Sequence, residues 1–543
     1  MHRPQVHIRQ RRRPSLDFLP LGGCGEIGMN LTLYGFEGQW IAVDCGMQIR
    51  QDLPDAPLQI PDVEPLSAYG IRPEAIVLTH GHEDHLGALA WIWPRWGCPI
   101  WASPLAAGLL RHKFSDLGLR TDAINIFTPG NTFELSPFCI RTLPVPHSIP
   151  ESCALLITAD THRILHTGDW KLDETPLIGS PLDKAAFRAL GAVDLLVGDS
   201  TNAPQPGHSR SEGVVALALE QHLHQCQGRV VISCFASNLS RIQAIGRAAE
   251  RNGRRVVLLG RAMTRMVQVA RSLGYLEDFP SLVPLRDAGY LPRHEVLVIA
   301  TGSQGEPRAA LSRLAHNTHP DIELQAGDSV IFSSKAIPGN EEAIQRLQNA
   351  FKYLGLNVYE EKQHPELHAS GHPAQEELKA LYQWVKPRCL IPVHGERLHQ
   401  EAHQQLAQSM DIEVPLIPSD GQWLKWNGHE LHVKEVLELK PRLISQRQKN
   451  NTHRRVTRNS IALLIPVVHD LNRWQRVGRL ILEGDIVEKI DEHALAEWLD
   501  NSLERLEAQT IDELVTHLKP LLTQWLHNHM LSPLHIEIEL AQV

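Results

Sequence analysis

The segment Thr79-His80-Gly81-His82-Glu83-Asp84-His85 places three imidazoles and a carboxylate within six residues. It follows an apolar run, Ala75 to Leu78, that reads as a strand, and it precedes a helical pattern beginning around Leu86. On an extended chain His80 and His82 alternate and share a direction, whereas Asp84 and His85 stand where a helix begins and face a second point. Such a cluster suits two adjacent metal ions. Glu83 has a simpler use, since its charge favours a helix N-terminus, and it takes no ligand role. Three further candidates each sit just past a strand: His147 after the strand ending near Val145, Asp169 after Arg163 to His166, and His394 after Pro392-Val393. Taken singly, each is more often a satisfied polar residue than a ligand. Their shared placement predicts convergence at one sheet edge.

These groups total five histidines and two aspartates. One zinc in a closed site takes about four ligands, so seven suit two ions with a bridging carboxylate. The expected assignment puts His80, His82 and His147 on one ion, Asp84, His85 and His394 on the other, and Asp169 between them. Asp44, which ends the strand Trp40 to Val43, is expected to accept a hydrogen bond from a ligand's ring N–H or from metal-bound water. Two ions about 4 Å apart bring a shared water's pKa close to neutrality and neutralise charge developing on a phosphoryl oxygen. Hydrolysis is the reaction such a centre predicts.

The elements that must position these groups fall into blocks. Residues 17 to 203 read as short strands, including Cys139 to Val145 and Leu195 to Val197. From 204 to 358 strands alternate with amphipathic helices: Val230 to Cys234 precedes a helix from Asn238, and Val256 to Leu259 precedes one from Ala262. Val296 to Ala300 and Val330 to Phe332 follow, with a helix from near Asn340. That alternation predicts a parallel α/β sheet and a second domain. Strand character then resumes at Cys389 to Val393 and leads to His394. Residues 440 to 460 hold seven Lys or Arg and no acid, a polar linker pattern. In the last block Leu495, Trp498, Leu499 and Leu506 recur at helical spacing, as expected of a helix packing on its own sheet.

Composition narrows the classes. The chain has 543 residues, 43% hydrophobic and 21% charged, which is globular. No apolar stretch approaches the roughly 20 residues needed to cross a bilayer, and the Arg-rich start (Arg3, Arg9, Arg11, Arg12, Arg13) lacks the apolar region of a secretory signal. The expectation is a cytoplasmic protein with no membrane contact. Eight scattered cysteines include no C-x-x-C pair, so a disulfide framework and a thiolate zinc site are both disfavoured. Net charge is −9, and residues 461 to 543 carry 14 acids against 6 bases. A polyanionic substrate therefore requires a local basic groove elsewhere.

With these residues in view, the chain resembles a known family, the metallo-β-lactamase fold with a β-CASP insertion, and within it bacterial ribonuclease J. Besides THGHEDH, the resemblance rests on LGGCGEIGMN (21–30), HSIPES (147–152), HTGDWKLDETP (166–176) and GDSTNA (198–203). It continues through CFASNLSRIQ (234–243), TGSQGEP (301–307), IPGNE (337–341), HASGH (368–372) and PVHGE (392–396). The resemblance implies an α/β protein with a four-layer αββα core at 17–203 and 359–440. It also implies a β-CASP domain at 204–358 and a small C-terminal α+β domain at 461–543, with a basic tail at 1–16 and a basic linker at 441–460. It further implies two Zn2+ per chain, with Mn2+ or Mg2+ as alternatives, and a homodimer or homotetramer. The implied activity is RNA cleavage by 5′ to 3′ exonuclease and also endonuclease action, acting in RNA processing and decay, with preference for a 5′-monophosphate end.

By matching motif, Asp199 takes the family's first β-CASP acidic position, His372 the second-motif histidine and His394 the third. Asp84, Asp199 and His372 are then the catalytic candidates, His372 suiting protonation of the leaving oxygen or contact with phosphate. Ser237, Asn238 and the turn His368-Ala369-Ser370-Gly371-His372 resemble the family's phosphate pocket, while Ser303 and Gln304 either line an RNA channel or shape a turn. Two departures stand out. Pro373 and Ala374 replace the usual Gly or Ala then Ser, removing a backbone donor and a hydroxyl near that pocket, and the linker is Lys/Arg-rich rather than Gly-rich. The basic tail and linker read either as solvated segments or as RNA contacts. Two other functions are compatible with the fold. Hydrolysis of a small ester or lactam on the same centre is disfavoured by an inserted domain of about 150 residues, which suits a polymer channel. A catalytically lapsed RNA-binding subunit is disfavoured by the intact ligand set.

Overall fold

The computed structural model describes residues 14–50, 58–337, 339–444, 460–470, 473–476, 481–484, 492–503, 506, 510–529 and 535–542. Contacts divide the chain into two units, 1–449 and 450–543. The first contains an eight-stranded sheet in the order 431–436, 422–426, 16–22, 31–36, 39–43, 75–77, 100–102, 124–126. A six-stranded sheet runs 132–135, 138–144, 153–159, 162–166, 193–199, 387–393. Strand periodicity decides which residues meet between them. Leu195 and Val197 point into the core shared with Phe18, Tyr34, Ile41 and Val77, while the intervening Leu196 packs outward.

The outer faces are covered by amphipathic helices. Ile92, Trp93, Leu110 and Phe114 from helices 89–96 and 104–116 join the outer core of the first sheet. Phe187, Leu378, Leu381 and Leu406 from helices 184–188, 375–385 and 397–408 do the same for the second. The result is helix, sheet, sheet, helix, the expected four-layer αββα core.

The inserted domain is a five-stranded sheet in the order 255–259, 296–300, 230–233, 329–332, 357–359, parallel throughout. Its strands are apolar on both sides because helices cover both faces. Helices 212–225, 239–251 and 261–272 pack on one face, and helices 310–315 and 341–353 on the other.

Two readings change. Residues 442–444, taken as the start of a solvated tether, pair antiparallel with Leu58–Ile60, and Ile444 is buried. Leu443-Ile444 supplies the apolar pair that a basic average conceals. The rest of the linker through 459, and tail residues 1–13, lie outside the described residues. The second unit has strand 460–470 paired with 473–476, 481–484 and 535–542, together with helices 492–503 and 511–529. Leu495, Leu499 and Leu503 are the buried positions of the first helix, which ends before Leu506. Among the described residues no helix is long and apolar enough to cross a membrane.

Candidate metal centre

The strand ends of the two facing sheets deliver the ligand candidates to one place. Strand 75–77 leads into His80 and His82, and His82 then opens the short helix 83–86 that carries Asp84 and His85. Backbone ladders clamp this turn: Asn30 N donates to Asp84 O, Cys45 N to His85 O, and Met47 N to Glu83 O. Gly46 is required by that closeness, since a Cβ there would lie 1.6 Å from the Asp84 carbonyl oxygen. Asp44 and His394 both hold left-handed backbone, φ 61° and 53°. Non-glycine residues rarely adopt it, and the surrounding structure must hold them there.

Three overlapping groups of donors share Asp169, each within 4.8 Å: one joins it to Asp199, His372 and His394, and the other two are His80, His82 and His147 with Asp169, and Asp84, His85 and His394 with Asp169. These are the two sets expected from the sequence. In the first, His147 Nδ1 donates to the Gly371 carbonyl at 2.7 Å, leaving its Nε2 as a bare lone pair. Thr79 Oγ1 donates to Asp44 Oδ2 and accepts from His80 Nδ1, so the His80 Nε2 lone pair also faces inward. Both meet His82 Nδ1, at 3.1 Å from His80 and 3.2 Å from His147. Burial pushes all three imidazoles down, His82 to about 4, so they are neutral at pH 7. Converging lone pairs call for a shared cation.

The second group balances charge in another way. Burial opposes protonation of His85 and His394, but the surrounding carboxylates outweigh it. Asp169, Asp84 and Asp44 hold His85 well above its ordinary value, and Asp169, Asp199 and Asp84 raise His394 to about 10. Asp169 itself is buried, and although burial alone would raise its pKa, His394 and His85 hold it well below the usual carboxylate range. Its Oδ1 is buried without a hydrogen-bond partner at the point where the groups meet. Nitrogen and carboxylate donors, inward lone pairs and an orphaned carboxylate oxygen fit two transition-metal ions, and Asp169 suits the bridge.

Asp44 lies beneath, accepting from Thr79 N, Thr79 Oγ1 and His85 Nδ1, each at 2.8 Å. Beside the second group His372 Nδ1 is 2.8 Å from Asp199 Oδ2. Burial lowers His372, but Asp199 and Asp169 raise it more, leaving the imidazole above its ordinary value. Sequence reasoning missed the residues that orient these groups. Thr201 Oγ1 contacts His394 Nδ1 at 2.7 Å, and Asn202 Nδ2 donates to Ser370 Oγ and His372 O. Both belong to GDSTNA, so the motif was visible while the contacts were not.

Several candidates for phosphate contact are engaged elsewhere. The Asn238 side chain caps helix 239–251 through Arg241 N and reaches Glu212, while Ser237 is half-buried. Gln304 is buried and shapes a turn, bonding to Lys335 O, Ile337 N and Asn340 Nδ2. Ser303 beside it is buried as well. Ala374 proves to be the N-cap of helix 375–385. The hydroxyl missing there is therefore a helix cap, and Glu377 in the first turn accepts from Ala374 N, Leu172 N and Ser209 N. His368 lies among Arg241, Lys335, Lys171 and Arg210, which after burial are what push its imidazole down.

A beta-lactamase superfamily domain matches residues 39–227, the ribonuclease J beta-CASP domain 227–351, and a Zn-dependent metallo-hydrolase RNA specificity domain 365–417. Ribonuclease J of Sinorhizobium meliloti is 42% identical over 426 residues, covering 77% of this chain and 75% of that protein. The chain belongs to the ribonuclease J family. Ribonuclease J of Thermus thermophilus is 40% identical over 77% of this chain and 74% of its own length, and that of Helicobacter pylori 34% over 79% and 62%. A solved protein of unknown function from Enterococcus faecalis is 16% identical and superposes with a TM-score of 0.53 over 76% of this chain and all of that one, a likeness of fold alone. Among ribonuclease J motifs, GDSTNA and HASGH are thus placed against each other across the second metal group.

Proposed function

We propose that this chain is a metal-dependent ribonuclease that hydrolyses RNA phosphodiester bonds at the paired donor groups, with two zinc ions as occupants and manganese or magnesium as alternatives. The observation that carries the reading is the sharing of Asp169 by overlapping donor sets, beside which Asp199 Oδ2 holds His372 Nδ1 at 2.8 Å. Bound there, the ions supply an activated water and electrostatic stabilisation of the phosphoryl oxygens. The chain's residues do the rest. Asp44 and the Gly371 carbonyl orient the imidazoles that hold the ions. His372, its affinity for a proton raised by Asp199, delivers a proton to the departing oxygen. Ser237 and the His368–His372 turn receive a phosphate, with Arg210 and Lys335 supplying positive charge nearby.

The β-CASP domain favours a polymer over a small ester. The finer reading is 5′ to 3′ exonuclease with endonuclease action, a preference for a 5′-monophosphate, and a role in RNA processing and decay by a homodimer or homotetramer. The test uses end-labelled RNA bearing a 5′-monophosphate, 5′-triphosphate or 5′-hydroxyl, with and without EDTA. EDTA-sensitive mononucleotide release from the first substrate alone is expected of the exonuclease; equal internal fragments from all three would assign endonuclease action instead. An Asp84→Ala protein that cleaved at full rate would remove the two-metal assignment.

A further inference from the structure

A second meeting of metal-binding side chains lies in the first unit, apart from the centre described above. His222 stands in the last turn of helix 212–225, and His364 and Glu366 flank Pro365 at the 3-10 turn 365–367. One donor atom from each lies within 4.8 Å of the others. Glu366 Oε1 is 3.1 Å from His222 Nε2 and 3.4 Å from His364 Nδ1. Ligands at zinc bond lengths of about 2.0–2.1 Å in a tetrahedron stand about 3.3 Å apart, so these separations already match. The rings are fixed by contact: the two imidazoles pack edge to face at 4.7 Å, and Tyr359 packs on His222 at 5.1 Å and on His364 at 5.5 Å. His222 is mostly buried, and its Nδ1 is buried without a hydrogen-bond partner, so Nε2 carries the ring's polar engagement. Glu366 is 40% exposed, which leaves an entry path and room for water as a fourth ligand.

We propose that His222, His364 and Glu366 form an additional site for one zinc-class divalent ion, which pins helix 212–225 to the segment entering the His368–His372 turn. Two imidazoles and one carboxylate select a transition ion over magnesium or calcium, which prefer oxygen-only shells. The location gives the ion a structural consequence. Glu366 is two residues before His368, and the carbonyls between are already gripped: Leu367 O accepts from Arg241 Nη1 and Ser333 Oγ, and Arg210 Nη1 holds Pro365 O and His368 O. The ion fixes the same segment from its side-chain face. The competing account is a plain His–Glu contact at a helix C-terminus, which needs no metal.

The test counts zinc in the full chain after chelator stripping and re-equilibration at buffered free zinc, using elemental analysis on wild type, His222→Gln, His364→Gln and Glu366→Gln. The wild type is expected to hold one equivalent more than each variant. The same difference is expected in an Asp169→Asn background, so loss of the main centre and loss of this site are read separately. In the Asp169→Asn background, hydrogen exchange across 364–368 should slow on zinc addition when the three residues are intact and stay unchanged when any one is substituted. Melting of the stripped variants at the wild-type temperature establishes that they fold. Equal zinc content in wild type and folded variants, or zinc-induced protection of 364–368 in the Asp169→Asn background that survives all three substitutions, would overturn the site.

Discussion

At the residue scale, protonation separates the two donor groups. His80, His82 and His147 lie below their ordinary value through burial, and His85 and His394 lie above it because carboxylates outweigh burial. A histidine held low in the fold loses stability as pH falls below its unfolded value, since the unfolded ring takes up the proton first. One held high contributes stability that is complete below its unfolded value and is lost as pH rises through its folded value, about 10 for His394. The chelated protein is therefore expected to melt at its highest temperature near the ordinary histidine pKa of 6.5 and lower on both sides. A melting profile flat from neutrality to pH 10 would contradict the charged pair. Zinc ligands must be deprotonated, so uptake at pH 7 is expected to release about two protons, read with an indicator dye in weak buffer. A second prediction concerns Gly371. A Cβ there would lie 2.6 Å from His147 Cε1 and 2.8 Å from Nδ1. Gly371→Ala should displace the ring that the Gly371 carbonyl orients, lowering metal affinity or activity by about 10–100-fold. Zinc titration checks it, with little change expected in the melting of the stripped protein. The convergence of the donor side chains was legible because each stands just past a strand. The His147–Gly371 contact was not, because it joins residues 224 apart and nothing local encodes it.

At the element scale, helix 375–385 starts without a side-chain cap, because Ala374 at the N-cap offers no acceptor to the first turn, while Glu377 supplies the other half of a capping box by accepting from Ala374 N. Ala374→Ser supplies an acceptor for the first turn and should stabilise the protein by about 1 kcal/mol, typical of a restored N-cap. A raised melting temperature with unchanged RNA cleavage is the expected outcome; altered preference among 5′ ends would return the hydroxyl to the phosphate pocket. Sequence reasoning connected this position to phosphate because it adjoins HASGH, but the helix start was equally readable from Glu376 and Glu377 in the first turn. The same contrast recurs at Asn238, whose place just before a helical pattern is that of a cap. Strand and helix periodicity conveyed the parallel insert, whereas the four layers of the core came from the family resemblance. Periodicity failed at 442–444, where three residues are too few for a pattern and pairing with Leu58–Ile60 decides the matter.

At the scale of the whole molecule, a chain of net charge −9 must attract a polyanion through a local field. His368 reports that field, its imidazole pushed well below its ordinary value by burial and then by Arg241, Lys335, Lys171 and Arg210. These cations are not equivalent. Arg241 is paired with Glu212 at 3.0 Å and Lys171 with Asp173 at 3.3 Å, both deep in the fold, so their fields are largely compensated. Arg210 directs Nη1 to carbonyl oxygens and so keeps its charge, but removing it would release the segment that enters the turn. Lys335 is exposed, and its substitution leaves that scaffold in place. Lys335→Ala is therefore expected to weaken RNA binding with little dependence on sequence and to reduce the slope of log affinity against log salt by about 1, the signature of one lost phosphate contact. Zinc content and the melting temperature should not change. Binding titrations at several salt concentrations with a catalytically blocked Asp84→Ala background read the slope directly, and an unchanged slope would place the RNA path away from the His368 turn.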